Sequence, residues 1–141
     1  SRIAEVYFNK INKKKKIKAI SRGIIMGGYY DKEQRDIPKK LLGIDITKRK
    51  PMPLKLQDLI ESDLIIVVAN DIPKIIFNYQ LMPIKEKVRI WNIKDEQKRN
   101  TRNIKAIVLV IKSKVDKFNK DLEARKWIYY LYVDIIDLEA E

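Results

Sequence analysis

The run Leu64-Ile65-Ile66-Val67-Val68 constrains this chain more than any other stretch. A polar, acidic turn precedes it at Ser62-Asp63. A helix start follows at Asn70-Asp71-Ile72-Pro73, where Asp71 can cap and Pro73 suits a first turn. A continuous, largely β-branched apolar run bounded by such signals reads as a strand buried on both faces. Helical patterns flank it on both sides. Helix, buried strand, helix implies an α/β fold with a short parallel sheet and helices on both faces. Ligands of such sheets bind beyond the carboxyl ends of the strands, here near Asn70.

The chain has 141 residues, 45% of them hydrophobic, which suits one α/β domain with a sizeable core. No apolar run is long enough to span a bilayer and no signal peptide is visible, so no membrane partner and a cytoplasmic location are expected. Cysteine is absent, which excludes disulfides, thiolate nucleophiles and thiolate metal sites for these residues. Histidine is absent too, which excludes histidine bases, Ser-His-Asp triads and histidine-bound zinc. No metal site and no cofactor is expected. Lys+Arg 31 against Asp+Glu 19 leaves a formal charge of +12. That excess favours anionic partners, nucleic acid among them. A lysine-rich solvated surface accounts for it better, because the lysines are scattered and not interleaved with aromatics.

Along the chain, residues 1–11 read as a helix with Ala4, Phe8 and Ile11 on one face and Ile3 and Tyr7 beside them. Asn12 to Lys16 form a polar, basic turn. Residues 17–24 read as a strand with Ile17, Ala19 and Ser21 on one face. Residues 25–35 are a loop carrying Gly27-Gly28-Tyr29-Tyr30, flexible in backbone and flat in side chain. A short helix over 37–42 is closed by Gly43. A helix over 54–61 turns Leu56, Leu59 and Ile60 inward. After the central strand come a helix over 72–81, a strand over 88–93 and a polar loop. A long amphipathic helix over 103–123 has its seam at Ile104, Ile107, Val108, Ile111, Val115, Phe118 and Leu122. No repeat or linker divides the chain.

The stretch from Trp127 to Ile136 is dense in aromatic and β-branched residues and reads as a strand. An exposed strand there would invite pairing with another chain, hence self-association.

The order of these pieces resembles the low-molecular-weight protein tyrosine phosphatases, a family that includes thioredoxin-coupled arsenate reductases. Ser1-Arg2-Ile3-Ala4-Glu5 is similar to the Ser-x-x-Ala-Glu that opens the family's first helix. Ile20-Ser21-Arg22-Gly23-Ile24 is similar to the Ser-Ala-Gly ending its second strand. Leu42-Gly43-Ile44-Asp45-Ile46-Thr47, then Pro53-Leu54, resembles its Gly-Ile-Asp-Ile-Ser with the basic stretch and helix that follow. Asp58-Leu59 and Ser62 to Val68 resemble its third strand and lead-in. Trp91-Asn92-Ile93-Lys94-Asp95 resembles the strand and loop presenting its general acid. The resemblance runs over residues 1–122 and leaves 123–141 as a C-terminal extension.

The family's chemistry needs a Cys-x5-Arg loop between its first strand and first helix, where a thiolate attacks phosphorus. This sequence begins where that loop would end, and Arg2 lies past the position of the family arginine. The resemblance implies a general-acid position for Asp95, although Asp95-Glu96 stands where the family has Asp-Pro. It places Tyr29 and Tyr30 in the loop lining the aromatic slot. It places Ser1 at the helix start facing a phosphate or phosphorylated ligand. The implied activity is a phosphoester hydrolase or arsenate reductase lineage, inactive as given because no cysteine nucleophile is present. The rival reading is a basic binding module for nucleic acid or an acidic partner. In the family the first strand is central. Its absence leaves a gap that the tail is expected to fill, entering parallel, with Val133-Asp134 at the strand exit.

Overall fold

The computed structural model describes residues 2–24, 30–70, 87–94 and 100–124, and the backbone of residues 132–137. The elements run α1 (Arg2–Ile11), β1 (Lys18–Gly23), α2 (Lys32–Leu42), α3 (Leu56–Glu61), β2 (Leu64–Ala69), β3 (Val88–Ile93), α4 (Thr101–Ala124) and β4 (Tyr132–Asp137). The helix expected over 72–81 lies outside the described residues.

The strands form one parallel sheet in the order β1-β4-β2-β3. The C-terminal strand is therefore central, parallel and between β1 and β2, as the gap argument requires. Its exit differs from the expectation. β4 continues to Asp137, which stands opposite Gly23 at the carboxyl end of β1. Asp134 is mid-strand, opposite Ile20 on one side and Ile65 on the other.

β2 is buried on both faces, as its composition demands. Ile66 and Val68 face the larger core, with Ala4 and Phe8 of α1 and Ile104, Val108, Ile111 and Val115 of α4. Ile65, Val67 and Ala69 face the other way, against Leu59 of α3. Burying each of the larger side chains here, Val, Leu, Ile or Phe, stabilises the fold by about 1.5–3 kcal/mol. Phe118 joins three elements. Its ring centroid lies 5.6 Å from Phe8 and 6.3 Å from Trp91 of β3.

Helix α2 starts at Lys32, ahead of the expected start at Ile37. Asp31 caps it, accepting from the Gln34 N–H at 2.8 Å while Gln34 Oε1 accepts from the Asp31 N–H at 3.1 Å. Pro38 lies in the helix interior. Helix α3 starts later than expected, because the Leu54 N–H is taken by Gly23 O at 2.8 Å. Only Leu59 of its three apolar positions is buried; Leu56 and Ile60 are exposed.

The outer edge of β1 is closed by three devices. The Asn9 amide grips the Ala19 backbone, Nδ2 donating to Ala19 O and Oδ1 accepting from Ala19 N–H, both at 2.9 Å. The Arg22 guanidinium donates to Ser21 O at 2.9 Å. The segment around Pro53 pairs with Gly23. Edge strands left bare invite pairing with other chains.

Candidate functional site

All strands are parallel, so their carboxyl ends share one edge of the sheet. Helix α1 runs antiparallel to β1: Asn9 meets Ala19, and Glu5, one turn earlier, meets Ser21. The N-terminus of α1 therefore emerges at the carboxyl edge, where its free N–H groups favour anions.

Glu5 organises this end. It is 5% exposed and accepts three donors. Arg2 Nη1 donates to Oε2 at 2.6 Å, the Ser21 hydroxyl donates to the same oxygen, and Arg49 Nη2 donates to Oε1 at 2.5 Å. Arg2 also donates from Nε to Ile46 O at 3.3 Å, which ties down the stretch after α2. Arg49 Nε is buried without a hydrogen-bond partner. Beside this cluster, Arg22 Nε donates to Asp58 Oδ2 at 3.1 Å. The three arginines Arg2, Arg22 and Arg49 meet only the two carboxylates Glu5 and Asp58 in these contacts. Around Glu5 two arginines meet one carboxylate, while the end of β4 brings Asp137 to the same edge.

The far end of the same edge carries a backbone irregularity. β2 and β3 pair in register from Ile65↔Val88 to Val67↔Ile90, then Ala69 stands opposite Ile93. One extra residue is accommodated in β3, with Asn92 at φ 57, in the left-handed region. Asparagine tolerates that region better than most residues. Bulges of this kind end pairing and re-aim the chain that follows. Here the Asn70 N–H bonds Ile93 O at 3.1 Å, and the loop expected to carry the general acid comes next.

Of the residues singled out from sequence, Ser1, Tyr29 and Asp95 lie outside the described residues. Tyr30 is half-buried and packs against the larger core, immediately before the Asp31 cap. Sequence reasoning missed the Glu5 cluster as a structural unit. The available signal was opposite charges at Arg2 and Glu5, spaced for one helix face beside Ala4 and Phe8. Among the described residues no group of His, Cys, Asp and Glu is placed to hold a metal ion. No described helix is long and apolar enough to cross a membrane.

Among solved structures, the chain is similar to a crystal structure of a low-molecular-weight protein tyrosine phosphatase from T. tengcongensis. The TM-score is 0.74 at 22% identity, over 86% of this chain and 90% of that one. The fold is that of the low-molecular-weight protein tyrosine phosphatases. The likeness is one of architecture, and it supports the ordering of elements inferred from sequence. No protein-family model and no curated protein sequence matches the chain.

Proposed function

We propose that this chain is a phosphatase-fold domain that holds phosphate or a phosphorylated ligand at the carboxyl edge of its sheet, without thiolate hydrolysis by these 141 residues. The observation carrying this reading is a phosphatase fold in a chain with no cysteine. The arginine excess around Glu5 and the emergence of the α1 N-terminus at that edge support it. Asp95, two residues beyond β3, is the general-acid position in this reading, and Ser1, Tyr29 and Tyr30 are the ligand-side residues.

Two measurements test it. Aryl phosphate hydrolysis by the purified chain is expected at background; turnover abolished by Asp95→Asn would overturn the inactive reading. Phosphate titration followed by amide shifts is expected to move Arg2, Ile3 and Ala4. Shifts confined elsewhere would defeat the proposed ligand site.

A second reading, nucleic-acid binding, rests on the turn between α1 and β1. Lys13, Lys15 and Lys16 are exposed there, at the opposite edge of the sheet. Lys14 is drawn off, its Nζ donating to Leu122 O at 2.8 Å. Strongly salt-dependent RNA binding, lost on replacing Lys13, Lys15 and Lys16 by Ser, would favour that reading.

A further inference from the structure

We propose that the slot between β1 and β2 accepts the C-terminal strand of a second copy of this chain, giving a reciprocal, strand-exchanged dimer. β1 and β2 do not pair with each other; each reaches its neighbour only through β4. β4 matches β1 at six positions, Lys18↔Tyr132 to Gly23↔Asp137, and β2 at four, Leu64↔Val133 to Val67↔Ile136. A central slot with two unpaired ladders is costly, so it is filled in any stable form of the protein. The ladders specify a parallel strand of this sequence. They do not specify which copy supplies it.

The order of the chain makes exchange accessible. β4 follows every other described element, so it can be withdrawn with whatever follows without unthreading any of them, although the sheet is then open between β1 and β2. Its partners on β1 are more than a hundred residues away in sequence, at Lys18↔Tyr132 for instance. Such non-local pairing forms slowly. While it forms, the open slot meets other copies in proportion to their concentration. Residues 125–131 connect α4 to β4, and seven residues reach at most about 25 Å when extended, enough to leave one body for another. Residues 132–141 carry Asp134, Asp137, Glu139 and Glu141 and no cation, in a chain of net charge +12. Exchange moves this acidic strand from one basic body to an identical one, so charge does not oppose it. Reciprocal exchange closes with twofold symmetry and leaves neither slot open.

The absence of native cysteine supplies the test. Full-length Lys18→Cys and Tyr132→Cys chains, carrying different tags, are unfolded together, refolded over a range of concentrations and oxidised. Positions 18 and 132 face each other across adjacent strands, within disulfide reach. Neither variant can close this bridge alone. The expected result is a disulfide-linked mixed dimer whose yield rises with refolding concentration. Light scattering on the native-sequence chain, refolded alone, should show a dimer fraction that rises over the same concentrations, independent of any effect of Cys on folding. A strictly monomeric native chain at all concentrations overturns the proposal. So does a dimer by scattering with no 18–132 linkage, which would mean side-by-side association.

Discussion

Glu5 is one carboxylate shared by α1, β1 and the stretch after α2, through Arg2, Ser21 and Arg49. Removing it leaves the Arg2 guanidinium buried without its countercharge. Glu5→Ala should therefore cost about 3–5 kcal/mol in urea titrations. A loss under 1 kcal/mol would show that the cluster relaxes into water. A half-exposed counterpart is the Asp116–Lys112 pair, which meets the hydroxyl of the buried Tyr7. The Tyr7 hydroxyl donates to Asp116 Oδ1 at 2.6 Å and Lys112 Nζ to Oδ2 at 2.7 Å. Desolvation pushes the Asp116 carboxyl up, but the bonds from Lys112 and Tyr7 together outweigh it and hold it below its ordinary value. A depressed carboxylate stabilises the fold above its unfolded pKa and loses that contribution as pH falls through the folded value. The pair is well solvated, so Asp116→Asn should cost about 1 kcal/mol or less at pH 7. That deficit should close below roughly pH 4, seen as converging denaturation midpoints.

Element boundaries were legible where the residues themselves carry the signal. Gly43 closed α2 in the sequence and closes it in the structure, at φ 64 with its N–H on Lys39 O at 3.0 Å. The long α4 and its buried seam followed from spacing alone, with Ile107 and Phe118 at its half-buried margins. The start of α2 is set by the Asp31–Gln34 capping box, in a polar stretch ahead of the first apolar residue Ile37, and that of α3 by backbone pairing with Gly23, a tertiary contact that no local pattern encodes. The β3 bulge is illegible for the same reason: nothing local in residues 88–93 marks the extra residue accommodated at Asn92. The Gly43 site makes a sharp prediction. A Cβ there would stand 2.6 Å from Lys10 Nζ, which donates to Leu42 O at 2.7 Å. Gly43→Ala meets both a left-handed backbone and that lysine, and should cost about 1–2 kcal/mol. Lys10→Ala alone should cost less, and the double variant should recover the steric part. Additive losses in that cycle would mean the lysine simply moves aside.

At the scale of the molecule, the sheet was legible from a deficit. The sequence showed a buried strand, a strand on either side of it in chain order, and one strand-like tail with no assigned place. Filling the central position with that tail follows from backbone hydrogen-bond accounting. What the sequence could not give was the register, which sends the strand out at Asp137 and not at Val133-Asp134, because register depends on both neighbours at once. The same topology predicts how the chain can be reordered. β4 ends opposite Gly23, at the carboxyl edge, and α1 begins at that edge, where Glu5 meets Ser21. The exit of β4 and the entry of α1 are neighbours in space although they lie at opposite ends of the sequence. A chain opened within residues 125–131 and rejoined by a short glycine-rich linker from residue 141 to residue 2 should keep every pairing of the sheet. β4, α1 and β1 then become consecutive, the usual connection between adjacent parallel strands. The Lys18 to Tyr132 separation falls to roughly 30 residues, which removes the slow long-range closure. The permuted chain should fold cooperatively, refold at least several-fold faster in stopped-flow measurements, and form less dimer at any given refolding concentration. Slower refolding, or loss of the cooperative transition, would mean that β4 and α1 do not meet at the edge where their backbone contacts place them.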